Sequence, residues 1–248
     1  MSKTTDIILS ELKYLVDEEK KIVLPRFFKT GKGEYGEGDK FLGVTVPNIR
    51  SVATAHLDAV GSDIAELLSS PWHEMRMCGL LIMVEHCKQT RKRAWMKIHS
   101  PEEGENLRRQ CLELYLAHTD RINNWDLVDL SAPTIVGDYL TDKKRDILYH
   151  LAESCLLWEQ RISIVSTFAL IRNNDLDDTY MLAEKLLHHP HDLMQKAVGW
   201  MLREAGKRDK PRLMDFLDEH SLDMPRTMLR YSIEKFTDVE REYYMKRK

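Results

Sequence analysis

Apolar residues recur at helical spacing through almost the whole chain, while the strict alternation of a half-buried strand is nearly absent. Helical segments of ~10–18 residues alternate with short polar breaks, and this restricts the fold to stacked or bundled helices. The pattern predicts helices over 62–69, 72–88, 105–118, 125–140, 142–154, 158–173, 177–187, 191–206, 209–219 and 225–236. Before them, Thr4 or Thr5 can cap a first helix through Ile7, Ile8, Leu9, Leu12, Leu15 and Val16. A second follows through Ile22, Leu24, Phe27 and Phe28, and Thr45 with Pro47 opens a third.

The segments resemble one another. His73–Leu80 aligns with Trp158–Val165, and both align with Leu193–Trp200: a polar turn, a basic residue (Arg76, Arg161, Lys196), then apolar and small residues. Arg161 and Lys196 are 35 residues apart, and Arg76 and Arg161 are 85 apart, about two longer periods. Such spacing fits HEAT or armadillo repeats. The expected fold is all-α, a curved α-solenoid of HEAT-like antiparallel helix pairs forming one domain over 1–248, with an irregular bundle as the alternative.

Much chemistry is set aside by what the sequence lacks. It has no HExxH, EF-hand loop, GxSxG elbow or dinucleotide fingerprint, and the enzyme classes that those motifs define are set aside. Gly31–Val44 is glycine-dense but lacks the GK[ST] ending of a phosphate loop and reads as a flexible surface loop. His188-His189-Pro190-His191 falls at a turn and reads as a capped loop, not a metal site. The four cysteines show no CxxC spacing; Cys78, Cys87 and Cys111 sit in apolar runs and read as buried thiols. With no apolar segment at the N-terminus and no run approaching the ~20 residues of a membrane span, a cytoplasmic protein is expected, with no membrane partner. A capped solenoid needs no partner to fold, so a monomer is expected.

Near the middle of the chain, Asn123-Asn124-Trp125-Asp126-Leu127-Val128-Asp129 places an indole and a carboxylate four residues apart. On a helix these lie one above the other, a pairing suited to a cationic ligand. The plainer alternative is that Asp129 pairs with an arginine and Trp125 fills the core. In a solenoid, repeat-equivalent positions line one surface, so Trp125, Asp129, Arg161 and Trp200 could converge. That surface would be basic. Lys196, Arg203, Lys207, Arg208, Lys210 and Arg212 outnumber Glu204 and Asp209, and Lys88, Arg91, Lys92, Arg93 and Lys97 form another cluster. Net charge is −3, so any nucleic-acid binding must come from such local surfaces; solvated helix faces are the alternative.

Three segments resemble the AlkD family of HEAT-like-repeat alkylpurine DNA glycosylases. Trp125-Asp126-Leu127-Val128-Asp129, continued by Pro133-Thr134 and Gly137-Asp138, is similar to the family's WDxVD segment. Trp158-Glu159-Gln160-Arg161 resembles its W-x-x-R, and Lys196–Glu204 resembles its KA-[IV]-GW-x-LRE. Phe41-Leu42-Gly43-Val44 with Pro47 fits its FLG-[IV] turn.

The resemblance implies a glycosylase acting on duplex DNA that contains alkylated purines. Trp125 and Trp200 would flank the damaged nucleotide. Asp129 would stabilise charge on the deoxyribose and position water, and Arg161 would orient Asp129 or the DNA backbone. Lys196, Arg203, Lys207 and Arg208 would contact DNA, and Tyr35 would match a tyrosine of the family's N-terminal region. The chain departs from the family at Asn124, often a second tryptophan, and in the composition of Gly31–Asp39. Some relatives of this fold only bind DNA, so a non-catalytic HEAT-repeat module for DNA structures or a protein partner is the alternative function.

Overall fold

The computed structural model describes residues 2–247. Among them there is no sheet, only an isolated parallel bridge between Lys40 and Trp72. The helices gather into two compact units, Met1–Ile135 and Val136–Lys248.

The first unit holds α1 (Lys3–Tyr14), α2 (Glu18–Phe27), α3 (Val46–Ala55), α4 (Gly61–Leu68), α5 (His73–Gln89), α6 (Arg93–Met96), α7 (Pro101–Leu116) and α8 (Trp125–Ala132). Its centre is α5, against which α1, α3, α4, α7 and α8 all pack. The sequence explains this position. Met75, Met77, Cys78, Leu80, Leu81, Ile82, Met83 and Val84 are all buried, so α5 is apolar nearly all round, as a helix surrounded by others must be. Gly79 lets α4 approach, since a Cβ there would lie 3.1 Å from Cβ of Leu67.

The second unit holds α9 (Asp146–Ala152), α10 (Leu157–Arg172), α11 (Asp177–Lys185), α12 (Asp192–Gly206), α13 (Lys210–His220), α14 (Arg226–Ser232) and α15 (Asp238–Lys246). Helices α10, α12 and α14 pack in succession as one row, and α9, α11 and α13 pack on them as the paired partners. This is the stacking of helix pairs, all-α and solenoid-like, that the repeats predict. Gly199 makes the α12–α14 approach close: a Cβ there would lie 2.5 Å from the Met228 carbonyl oxygen.

Several local expectations change. Ser2, not Thr4 or Thr5, caps α1 by accepting from the Thr5 N–H. The segment read as one helix over 125–140 is three pieces: α8, a π-helical turn over Pro133–Gly137 and a 3₁₀ turn over Tyr139–Asp142. Pro133 has no N–H to continue the ladder, so the α-helix stops there. The loop Gly31–Asp39 is a run of turns with mostly exposed tips, but it ends in the buried side chain of Asp39, so it is not wholly a surface feature. The short α6 and the final α15, the latter opened by a capping box of Thr237 and Glu240, lie outside the predicted segments. Cys78, Cys87 and Cys111 are buried free thiols, and Cys155 is exposed. No helix among the described residues is long and apolar enough to cross a membrane.

Candidate functional site

Helix α8 carries the indole–carboxylate pair. Leu127 and Val128 are completely buried, while Trp125 and Asp129, one turn apart, are half-buried. The alternation follows from the 3.6-residue period: the apolar pair anchors one side and turns positions 125 and 129 outward together. Asn124 is buried and caps the helix, its Oδ1 accepting from the Trp125 N–H at 2.9 Å. The residue that departs from the family pattern therefore has a structural use here. The Trp125 ring meets Phe28 at 5.4 Å and Phe27 at 6.0 Å between centroids, so the indole is seated against aromatic walls as well as partly exposed.

Behind this helix lies a charged network that the sequence did not disclose. His73 opens α5; its Nδ1 is 3.0 Å from Asp39 Oδ2 and its Nε2 is 2.8 Å from Asp126 Oδ2. Asp126 Oδ1 accepts the Leu127 N–H at 2.8 Å. The Arg76 guanidinium donates to Asp39 at 2.5 Å, to Asn123 Oδ1 at 3.1 Å and to the Ser70 carbonyl at 2.9 Å. Burial alone would make His73 less basic, but Asp126 and Asp39 outweigh it and raise its pKa to about 9. For Asp39, burial pushes the pKa up, yet His73 and Arg76 together hold it below the ordinary value. Next to this group, the Glu74 carboxylate accepts the N–H groups of Leu42 (2.9 Å), Gly43 (2.8 Å) and Val44 (3.2 Å), which fixes the Phe41–Val44 turn.

In the second unit the predicted residues sit on α10 and α12. Arg161, the fifth residue of α10, is buried, and its Nη1 donates to the Leu193 carbonyl at 2.5 Å. Trp200 is half-buried on α12, 5.9 Å from the Phe168 ring of α10. Lys196, one turn before it, pairs with Asp192 at 2.6 Å. Arg203 bonds to Glu204 and Glu234, and Lys207 to Glu204 at 2.7 Å. Arg208 is exposed, and its guanidinium makes no ion pair among the described residues. Tyr35 belongs to the first unit; its hydroxyl donates to the Phe27 carbonyl at 3.5 Å, beside the aromatic wall of Trp125. The structure thus brings together Trp125 with Asp129 in one unit and Arg161, Lys196 and Trp200 on neighbouring helices of the other.

The histidine-rich turn holds a cap. His191 Nδ1 accepts the Leu193 N–H at 3.2 Å, and His189 Nε2 lies 2.8 Å from Gln160 Oε1. Among the described residues no group of three or more acidic, histidine or cysteine side chains could hold a metal ion.

The sequence matches the DNA alkylation repair enzyme family over residues 8–236, nearly the whole chain, and the protein belongs to that family. Its role therefore lies in the repair of alkylated DNA. A solved structure, a predicted DNA alkylation repair enzyme from Enterococcus faecalis, aligns with a TM-score of 0.65 at 14 % identity. The alignment covers 92 % of this chain and 99 % of that one, which establishes a shared fold. Among functionally curated proteins, no sequence matches the chain.

Proposed function

We propose that the protein is a DNA glycosylase that hydrolyses the N-glycosidic bond of cationic N3- or N7-alkylated purines in duplex DNA, leaves an abasic site and does not flip the base. The observation that carries this reading is the outward pairing of Trp125 and Asp129 on α8, held by the buried Leu127 and Val128. An alkylated purine is already positively charged, so it takes the bonding electron pair and departs neutral without a proton. Positive charge then moves to the deoxyribose, as in other oxocarbenium-like transition states. A carboxylate and an indole face beside the sugar stabilise that charge. Water completes the reaction at C1′, with Asp129 positioned to orient it and take its proton. Trp200 would pack on the lesion's backbone, Arg161 would orient Asp129 or a phosphate, and Lys196, Arg203, Lys207, Arg208 and Tyr35 would hold the duplex. The chemistry asks for no metal and no cofactor.

The test is release of N7-methylguanine from methylated duplex under single-turnover conditions, wild type beside Asp129→Asn. We expect wild-type excision and a loss of about 10²–10³-fold in the variant, the scale of removing one preorganised electrostatic group. Duplex affinity should be unchanged or higher, because a carboxylate facing phosphates repels them. Folded wild-type protein that binds duplex but releases neither N7- nor N3-alkylated nor bulky purines would overturn the reading.

A further inference from the structure

The Asp39–His73–Asp126 chain takes no part in the reaction above, yet Asp126 is the residue between Trp125 and the buried anchor of α8. The side chains of His73 and Asp39 are 2 % and 1 % exposed, and that of Asp126 is 10 % exposed. Each ring nitrogen of His73 faces a carboxylate oxygen. An ionised carboxylate only accepts hydrogen bonds, so both nitrogens must donate, and the ring is an imidazolium.

Charges of both signs meet around it. Asp39 comes from the glycine-rich loop, His73 and Arg76 from α5, and Asp126 from α8, giving two anions and two cations. Arg121 stands near Arg76 and donates to the same Ser70 carbonyl, at 3.1 Å. Removing the His73 proton would turn a ring-nitrogen lone pair toward a buried carboxylate oxygen, which is unfavourable. The rings complete the enclosure: His73 stacks on Phe41 at 4.5 Å and lies 5.2 Å from Phe28, the ring that also meets Trp125.

We propose that His73 is a positioning residue: by bridging Asp39 and Asp126 it fixes the first turn of α8, and with it the direction in which Trp125 and Asp129 face the DNA. The proposal rests on the glycosylase reading of those two residues. Burial of Leu127 and Val128 holds α8 against its neighbours but is non-directional. Hydrogen bonds are directional, and here both oxygens of Asp126 are committed, one to His73 and one to the Leu127 N–H. A rotation of α8 about its own axis would break the His73 bond before it uncovered the apolar pair. The same bridge ties the glycine-rich loop, through Asp39, to the helix that carries the reacting groups.

The experiment compares wild type, His73→Gln and Asp126→Asn. Three quantities are read: the single-turnover excision constant at saturating protein, the duplex Kd, and amide hydrogen exchange by segment. We expect excision to fall 10–100-fold in His73→Gln, and less in Asp126→Asn, whose amide oxygen still accepts from His73. Kd should stay within about threefold. Exchange should rise over residues 124–132 while α3 and α7 keep their protection. Wild-type excision in both variants with unchanged exchange over 124–132 overturns the proposal. So does exchange raised equally through α3, α7 and α8, since that describes a general stabiliser. If His73→Gln does not fold, Asp126→Asn decides alone. A wild type that excises nothing defeats the glycosylase reading, and the exchange comparison still decides whether His73 orients α8.

Discussion

Glu74 commits one buried carboxylate to three backbone N–H groups, and the turn it holds depends on Gly43, which lies at φ +95°. A Cβ at Gly43 would lie 2.6 Å from the Asp17 carbonyl oxygen, so no other residue fits without movement. Replacing Glu74 with alanine leaves these donors buried without an acceptor. We expect a loss of about 3 kcal/mol in urea unfolding, the scale of hydrogen bonds to a charged group. His73 supplies a second prediction at this scale, of opposite pH sense to an ordinary acid. Its pKa is raised from 6.5 to about 9 on folding, so its contribution is complete below pH 6.5 and disappears as pH rises through 9. The shift corresponds to a contribution on the order of 3 kcal/mol. The urea midpoint of the wild type should therefore fall between pH 7 and 10, and His73→Gln should lack that component. Asp39 acts at the other end: its pKa is lowered, so its contribution is present above 3.8 and is lost as pH falls through the depressed value.

At the scale of the element, what could be read from the chain was periodic and local. The i,i+4 spacing of Trp125 and Asp129 gave their shared exposure, and the apolar runs gave α5, α10 and α12 within a residue or two at most boundaries. The π-turn after Ala132 begins at Pro133, and the apolar pattern hides the break because it continues past it through Ile135 and Val136. The charged network was not legible. Asp39 and Asp126 lie 34 and 53 positions from His73, and nothing local in the sequence marks such a meeting. The glycines of the repeat helices carry similar long-range information. At Gly199 a Cβ would meet the Met228 oxygen at 2.5 Å and the Tyr231 Cβ at 2.6 Å, both on α14. At Gly61 it would meet nothing within 4 Å. Gly199→Ala should cost about 1–3 kcal/mol through overpacking, whereas Gly61→Ala should be neutral or stabilise by up to about 1 kcal/mol by restricting the unfolded chain. Thermal unfolding of the pair separates packing from intrinsic helix preference.

At the scale of the whole molecule, electrostatics limits how DNA can be held. The chain has 37 lysines and arginines against 40 acids, so a duplex is attracted only where cations stay uncommitted. Counting bases along the sequence overstates that attraction. Arg203 is held by Glu204 and Glu234, Lys207 by Glu204, and Lys196 by Asp192. Arg208 is exposed beside them without an ion pair among the described residues. Around α6, Lys92, Arg93 and Lys97 are likewise exposed, and no acid lies between residues 88 and 100. Each cation that neutralises a phosphate releases a counterion and adds about 0.9 to the slope of log K against log salt. If Arg208 contacts the backbone, Arg208→Gln should lower the slope by about that amount and weaken binding alike for damaged and undamaged duplex. Lys207→Gln should change it less, because Lys207 is already committed to Glu204. Fluorescence anisotropy with a labelled duplex between about 50 and 200 mM salt measures both slopes. Equal slopes for wild type and Arg208→Gln would remove Arg208 from the phosphate track. In that event the joint variant Arg93→Gln/Lys97→Gln should show the loss, because those two are exposed on and beside α6 with no ion pair among the described residues.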